Sequence, residues 1–198
     1  MMLLWISPGP LSASAGEGPA RLPSGAQAHF DLGVRLGEQR KFGEAEKEFR
    51  VAIRLKTGWA EAHSRLGNAL AGQKKYPEAE KEFRKAIRLK PAYELSYYNL
   101  ACCYALWGKK GEAIKSLRTL VDKGFYNWPL MVDDTELDSL RDEPGFKEVD
   151  GIVQKRWEER KKTKEGGKQP VRSSLVQSMS YRDRAGMGPL KRPFCLLY

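Results

Sequence analysis

A run of 34 residues occurs twice in this chain with little change, and it restricts the fold more than any other feature. Residues 26–59 (AQAHFDLGVRLGEQRKFGEAEKEFRVAIRLKTGW) align without gaps on residues 60–93 (AEAHSRLGNALAGQKKYPEAEKEFRKAIRLKPAY). His29 falls on His63, Leu32-Gly33 on Leu66-Gly67, Phe42 on Tyr76, Ala45 on Ala79, Phe49 on Phe83 and Ala52-Ile53 on Ala86-Ile87. A looser third copy over 94–125 keeps Leu100, Ala101, Tyr104, Ala113 and Ile114 in register. A unit of this length is one supersecondary element that cannot bury its apolar face alone, so its copies must stack. The expectation is an all-α solenoid.

Within each unit the apolar spacing predicts two helices, the first over about 28–39 and the second over about 44–55, repeated 34 residues later. The small residues Gly33 and Ala45, with Gly67 and Ala79 in the next copy, let antiparallel helices approach closely. Phe49 and Phe83 are then expected to fill the space between adjacent units. Pro77 suits the first turn of a helix, where its missing N–H has no intrahelical partner. Pro91 stops the helix before it.

The positions Leu66, Gly67, Leu70, Ala79, Phe83, Ala86 and Pro91 resemble the tetratricopeptide repeat. The resemblance implies a right-handed α-α superhelix of three repeats, 26–59, 60–93 and 94–125, of which the last departs from the pattern at Leu117, Leu120 and Phe125. The stretch that follows is similar to the segment that closes many short proteins of this family, through Asp134, Leu137, Leu140, Arg141, Asp142, Pro144 and Phe146. It predicts a helical cap over 126–162. Asp134 is suited to cap a short helix, and Asp142, Glu143 and Pro144 to start a longer one. Phe146, Val149, Val153 and Trp157 make one apolar stripe, expected to cover the exposed end of the third repeat. The carboxylates Asp133, Asp134, Glu136, Asp138, Asp142 and Glu143 lack the glycine-containing loop of a calcium-binding hand. They read as helix caps and a polar outer face.

The formal charge of +10 is unevenly spread. Residues 27–125 hold 20 basic and 12 acidic side chains, 126–160 hold 5 and 10, and 161–198 hold 9 and 2. A basic solenoid and a basic tail bracket an acidic cap. Residues 1–25 and 163–198 are rich in Gly, Pro and Ser without helical period, and both are expected to be disordered. The alternative for the first stretch is a secretory leader ending near Ala13-Ser14-Ala15; its apolar run, Met2 to Ile6, is shorter than such leaders require. Cys195-Leu196-Leu197-Tyr198 has the outline of a prenylation box with an unusual final residue. No stretch reaches the ~18 apolar residues of a membrane span. Three cysteines, two of them adjacent (Cys102 and Cys103), do not form a disulfide framework, and a cytoplasmic setting is expected.

No glycine loop for phosphate, cysteine cluster at zinc spacing or nucleophile elbow is present, so neither an enzyme nor a metal or cofactor site is expected. His29 and His63 share one repeat phase on successive helices and read as partly buried core residues. In the family, the first helix of each repeat lines a concave groove. The resemblance therefore implies a protein-interaction module or adaptor whose partner is a peptide or helix held by Phe30, Val34, Glu38, Ser64, Asn68, Tyr98 and Cys102, with Phe30 and Tyr98 the chief anchors. The Lys/Asn/Arg clamp of chaperone-binding relatives is incomplete, because Phe30 and Val34 stand where it would begin; Asn68 and Asn99 are the polar candidates left. The alternative is nucleic-acid or acidic-surface binding through Arg40-Lys41, Lys74-Lys75, Lys109-Lys110 and the basic tail. Self-association through the repeat ends is a third reading.

Overall fold

The computed structural model describes residues 25–165, with side chains through Thr163. The expectations placed on the N-terminal segment and on nearly all of the basic tail lie outside the described residues. Within them the chain is all-α: α1 (Ala26–Glu38), α2 (Phe42–Leu55), α3 (Ala60–Gly72), α4 (Tyr76–Leu89), α5 (Glu94–Leu106), α6 (Lys110–Asp122), α7 (Trp128–Val132), a 3-10 helix (Thr135–Leu140) and α8 (Pro144–Glu165). Odd and even helices pair as α1/α2, α3/α4 and α5/α6, and α2 and α4 also pack on the next odd helix, while α6 packs on α8. The odd helices neighbour one another, α1 with α3 and α3 with α5. This is the stacking the 34-residue period predicts.

The helices of each pair are joined by only three residues, so α1 and α2 start about two residues earlier than the spacing suggested. The short turn is a Schellman closure made three times over. Lys41 N–H reaches Leu36 O at 2.9 Å and Arg40 N–H reaches Gly37 O at 2.8 Å. Lys75 and Lys74 do the same to Leu70 and Ala71, and Lys109 and Gly108 to Tyr104 and Ala105. The motif needs a left-handed residue at its hinge, which is normally glycine. Here φ is +62° at Arg40 and at Lys74, and only the third copy uses glycine, Gly108 at +80°. The even helices begin at Lys41, Lys75 and Lys109 without a side-chain cap; Glu44, Glu78 and Glu112 in their first turns face the positive end of the helix dipole instead. Pro77 occupies the first turn of α4, as expected.

The rings of Phe49 and Phe83 correct one expectation. Each lies against the glycine of its own repeat, Gly33 or Gly67, so close that a Cβ there would stand 2.7 or 2.6 Å from a ring carbon. The missing side chain opens a seat inside the helix pair, and the ring takes it. Between the first and second repeats Phe42 makes one such contact, its ring lying where a Cβ of Gly72 would be. In the third repeat Ala101 and Leu117 replace the glycine and phenylalanine, and both are buried.

The closing segment holds one more helix than the sequence suggested, α7, and the longer helix begins at Pro144, within the expected Asp142-Glu143-Pro144 start. Phe146, Val149 and Val153 are buried, and α8 lies along α6, so the stripe covers the end of the third repeat. Salt bridges Lys110–Glu143 and Arg118–Glu148 flank that contact, and Arg156 donates to the carbonyls of Val121 and Phe125. α8 runs to Glu165, three residues into the stretch that composition assigned to the tail.

Candidate functional site

Phe30, Ser64 and Tyr98 hold one position on α1, α3 and α5, and Val34, Asn68 and Cys102 hold the position one turn later. The three helices are neighbours, so these six residues form two rows across the face made by the odd helices. Glu38 continues the row on α1 and is exposed, and Val34 is half-buried. The other five are withdrawn from water: Phe30 is 7% exposed, and Ser64, Asn68, Tyr98 and Cys102 are at 1% or less. Phe30 stacks on Trp59 with centroids 4.5 Å apart and meets Phe49 edge-on. Lys56 Nζ lies 4.4 Å from the Trp59 ring centroid.

The middle of the face is polar and unsatisfied among the described residues. Ser64 Oγ, Asn68 Nδ2 and both amide atoms of Asn99, next to Tyr98, are buried without a hydrogen-bond partner there. A buried donor or acceptor left unpaired costs about 1–3 kcal/mol.

The third-repeat end of the face is acidic. The 3-10 helix folds back over α5, and its cap residue Asp134 is fully buried there. Tyr98 Oη donates to Asp134 Oδ2 at 2.8 Å, while Asp134 Oδ1 accepts the N–H of Glu136 at 2.9 Å. Arg141 donates to the carbonyls of Val132 and Asp134. Burial, then the neighbouring Asp134 charge, pushes the Tyr98 hydroxyl well above its ordinary pKa. The donor atoms of Cys102, Asp134 and Glu136 lie within 4.8 Å of one another. The sequence reading put these carboxylates on a polar outer face. Asp134 is indeed a cap, but it and Glu136 are inside, because the segment carrying them turns inward over α5.

His29 and His63 are structural in the way their shared phase suggested. Each Nδ1 meets a glutamate on the partner helix, Glu48 Oε2 at 2.6 Å and Glu82 Oε2 at 2.7 Å. The third copy has Tyr97 and Ser116 at these places. The basic turns are partly committed as well. Lys75 pairs with Glu46, Lys110 with Glu143, and Lys109 Nζ sits 3.4 Å from the centroid of Trp107. Partial burial works against ionisation of Glu46, yet donors from Gln73, Lys75 and Arg50 hold its carboxyl below the usual range. Among the described residues, no helix is long and apolar enough to cross a membrane.

Family models described as tetratricopeptide repeat match residues 60–93 and 95–122. The crystal structure of MamA superposes with a TM-score of 0.55 at 20% identity, covering 69% of this chain and 81% of that one. A second MamA crystal structure gives 0.53 at 20% identity, covering 74% and 79%. YrrB, described as "a TPR protein with an unusual peptide-binding site", gives 0.49 at 22% identity over 52% and 53%. No curated protein sequence matches the chain. The MamA likenesses establish the fold that the repeat family models name.

Proposed function

We infer that this tetratricopeptide-repeat chain is a protein-interaction module that holds an extended segment of a partner across the face of α1, α3 and α5, and that it is not an enzyme. The observation that carries the reading is the set of buried groups at Ser64, Asn68 and Asn99 with no hydrogen-bond partner among the described residues. An extended peptide presents backbone N–H and C=O groups to such side chains, and recognition in grooves commonly pairs backbone hydrogen bonds with side-chain pockets. The half-buried Val34 and the Phe30–Trp59 stack offer apolar contact at one end.

Panning of a random 12-residue peptide library against the full chain tests this reading. Peptides should be enriched on the parent and lost on an Asn68→Arg variant whose circular dichroism is unchanged. Equal enrichment on both proteins would move the binding surface elsewhere and refute the assignment.

A further inference from the structure

We propose that α1 pairs with the α1 of a second copy of this chain, antiparallel about a two-fold axis beside Leu32, to make a symmetric dimer. The observation behind it is a difference among the three repeats. On α3, against which α2 packs, Ala62, Leu66 and Leu70 are 0%, 2% and 1% exposed. On α5, against which α4 packs, Ser96, Leu100 and Tyr104 hold the same positions and are buried too. Ala28, Leu32 and Leu36 hold these positions on α1, where no helix precedes among the described residues, and all three are only half-buried. The first helix thus carries a stripe of the kind that another helix covers elsewhere in the molecule.

The far end of the array cannot supply that helix in a head-to-tail stack, because Phe146, Val149 and Val153 of α8 are buried over α6. Pairing of like ends about a two-fold axis is the closed arrangement left. The sequence of α1 fits it. With Leu32 on the axis, Leu32 meets its own counterpart and Ala28 meets the partner's Leu36, so the stripe is complementary to itself. Asp31 and Arg35 are exposed on one flank of it. Reversing the helix brings Asp31 within two residues, about 3 Å along the axis, of the partner's Arg35, and does so twice. Asp31 already accepts from Gln27 at 2.8 Å in an exposed contact, and its two carboxylate oxygens can serve both donors. A parallel pairing would set like charges against each other instead. Since each flank meets the same flank of the partner, the faces of α1, α3 and α5 of both copies open to one side.

Sedimentation equilibrium of the reduced full chain over a roughly hundredfold range of concentration reads the balance of monomer and dimer. The parent should form dimers that dissociate on dilution. Leu32→Glu should abolish them. Asp31→Arg and Arg35→Asp should each weaken them about tenfold, because either change opposes like charges at both contacts. The deciding arm mixes these last two proteins, one of them labelled with fluorescein. Each repels its own kind, yet one supplies two positive side chains and the other two negative, so mixed dimers should form with the affinity of the parent. Circular dichroism should be the same for every protein, as both charges are on the surface. A parent that stays monomeric throughout overturns the proposal and leaves the stripe to another occupant. Dimers indifferent to all three substitutions overturn it as well, and so does a mixture no tighter than its components.

Discussion

The ring of Phe83 stands where a Cβ of Gly67 would be, 2.6 Å from Cε1, and the third repeat resolves the same conflict by carrying Ala101 opposite Leu117. Glycine with phenylalanine, or alanine with leucine, fills one seat at similar volume. The two residues are therefore one choice made twice along the chain, at 33/49 and 67/83, and made differently at 101/117.

Gly67→Ala should destabilise the fold by about 1–2 kcal/mol: overpacking costs about 1–3, and removing a helix-interior glycine returns up to about 1. Phe83→Leu in the same chain should restore part of that loss, since it reproduces the third repeat. Urea titrations of the parent, both single variants and the double variant measure the coupling. Strict additivity of the two changes would show that the ring and the glycine do not share a seat.

Lys74→Gly should raise stability by about 0.5–1 kcal/mol. A left-handed L-residue carries strain of about 1–2 kcal/mol, only partly offset by the greater freedom of glycine in the unfolded chain. The mirror change, Gly108→Ala, should lower stability by a similar amount. The midpoint of urea unfolding should move with its slope unchanged; a fall in the Lys74→Gly midpoint counts against strain at this hinge.

Tyr98→Phe should cost about 2 kcal/mol, the range for a hydrogen bond to a charged group. The loss falls on the contact between α5 and the 3-10 helix, so amides of residues 134–140 should exchange hydrogen faster while those of α1 and α2 do not. Uniform acceleration across all repeats would mean that Asp134 does not hold the cap through this hydroxyl.

Stability should decline in alkali. Burial pushes Tyr93 and Tyr104 up to about 12 and holds Tyr98 well above its ordinary value, against about 10 in the unfolded chain. Above pH ~10 the unfolded chain binds fewer protons than the folded one, so the contribution of these groups is whole below that pH and is lost as it rises through about 12. Absorbance of tyrosinate at equilibrium should therefore show a late, cooperative step that coincides with loss of helicity. A single early transition near pH 10 in the still-folded chain would contradict it.

The repeat was legible because period, small residues and Pro77 all act locally, and the cap stripe at Phe146, Val149 and Val153 was legible for the same reason. The hinges at Arg40 and Lys74 were not, since neither residue type signals a left-handed turn; only their alignment with Gly108 could have shown it. α7 escaped notice because Trp128–Val132 is too short to display a helical period. Burial of Asp134 and Glu136 depends on the path by which the 3-10 helix returns over α5, and charge pattern alone points such carboxylates to water. The face holding Ser64, Asn68, Tyr98 and Cys102 followed from repeat phase, whereas the absence of described partners for Ser64 and Asn68 required coordinates.

Because α2 and α4 share the AEKEFR block and each packs on the odd helix after it, the second repeat can follow a copy of itself as readily as it follows the first. The third cannot be multiplied in this way, since its far side is shaped by α8 through Phe146, Val149 and Val153. Growth of the array is thus confined to one internal joint, after Tyr93, where insertion of further 34-residue copies lengthens the molecule while both of its ends stay as they are.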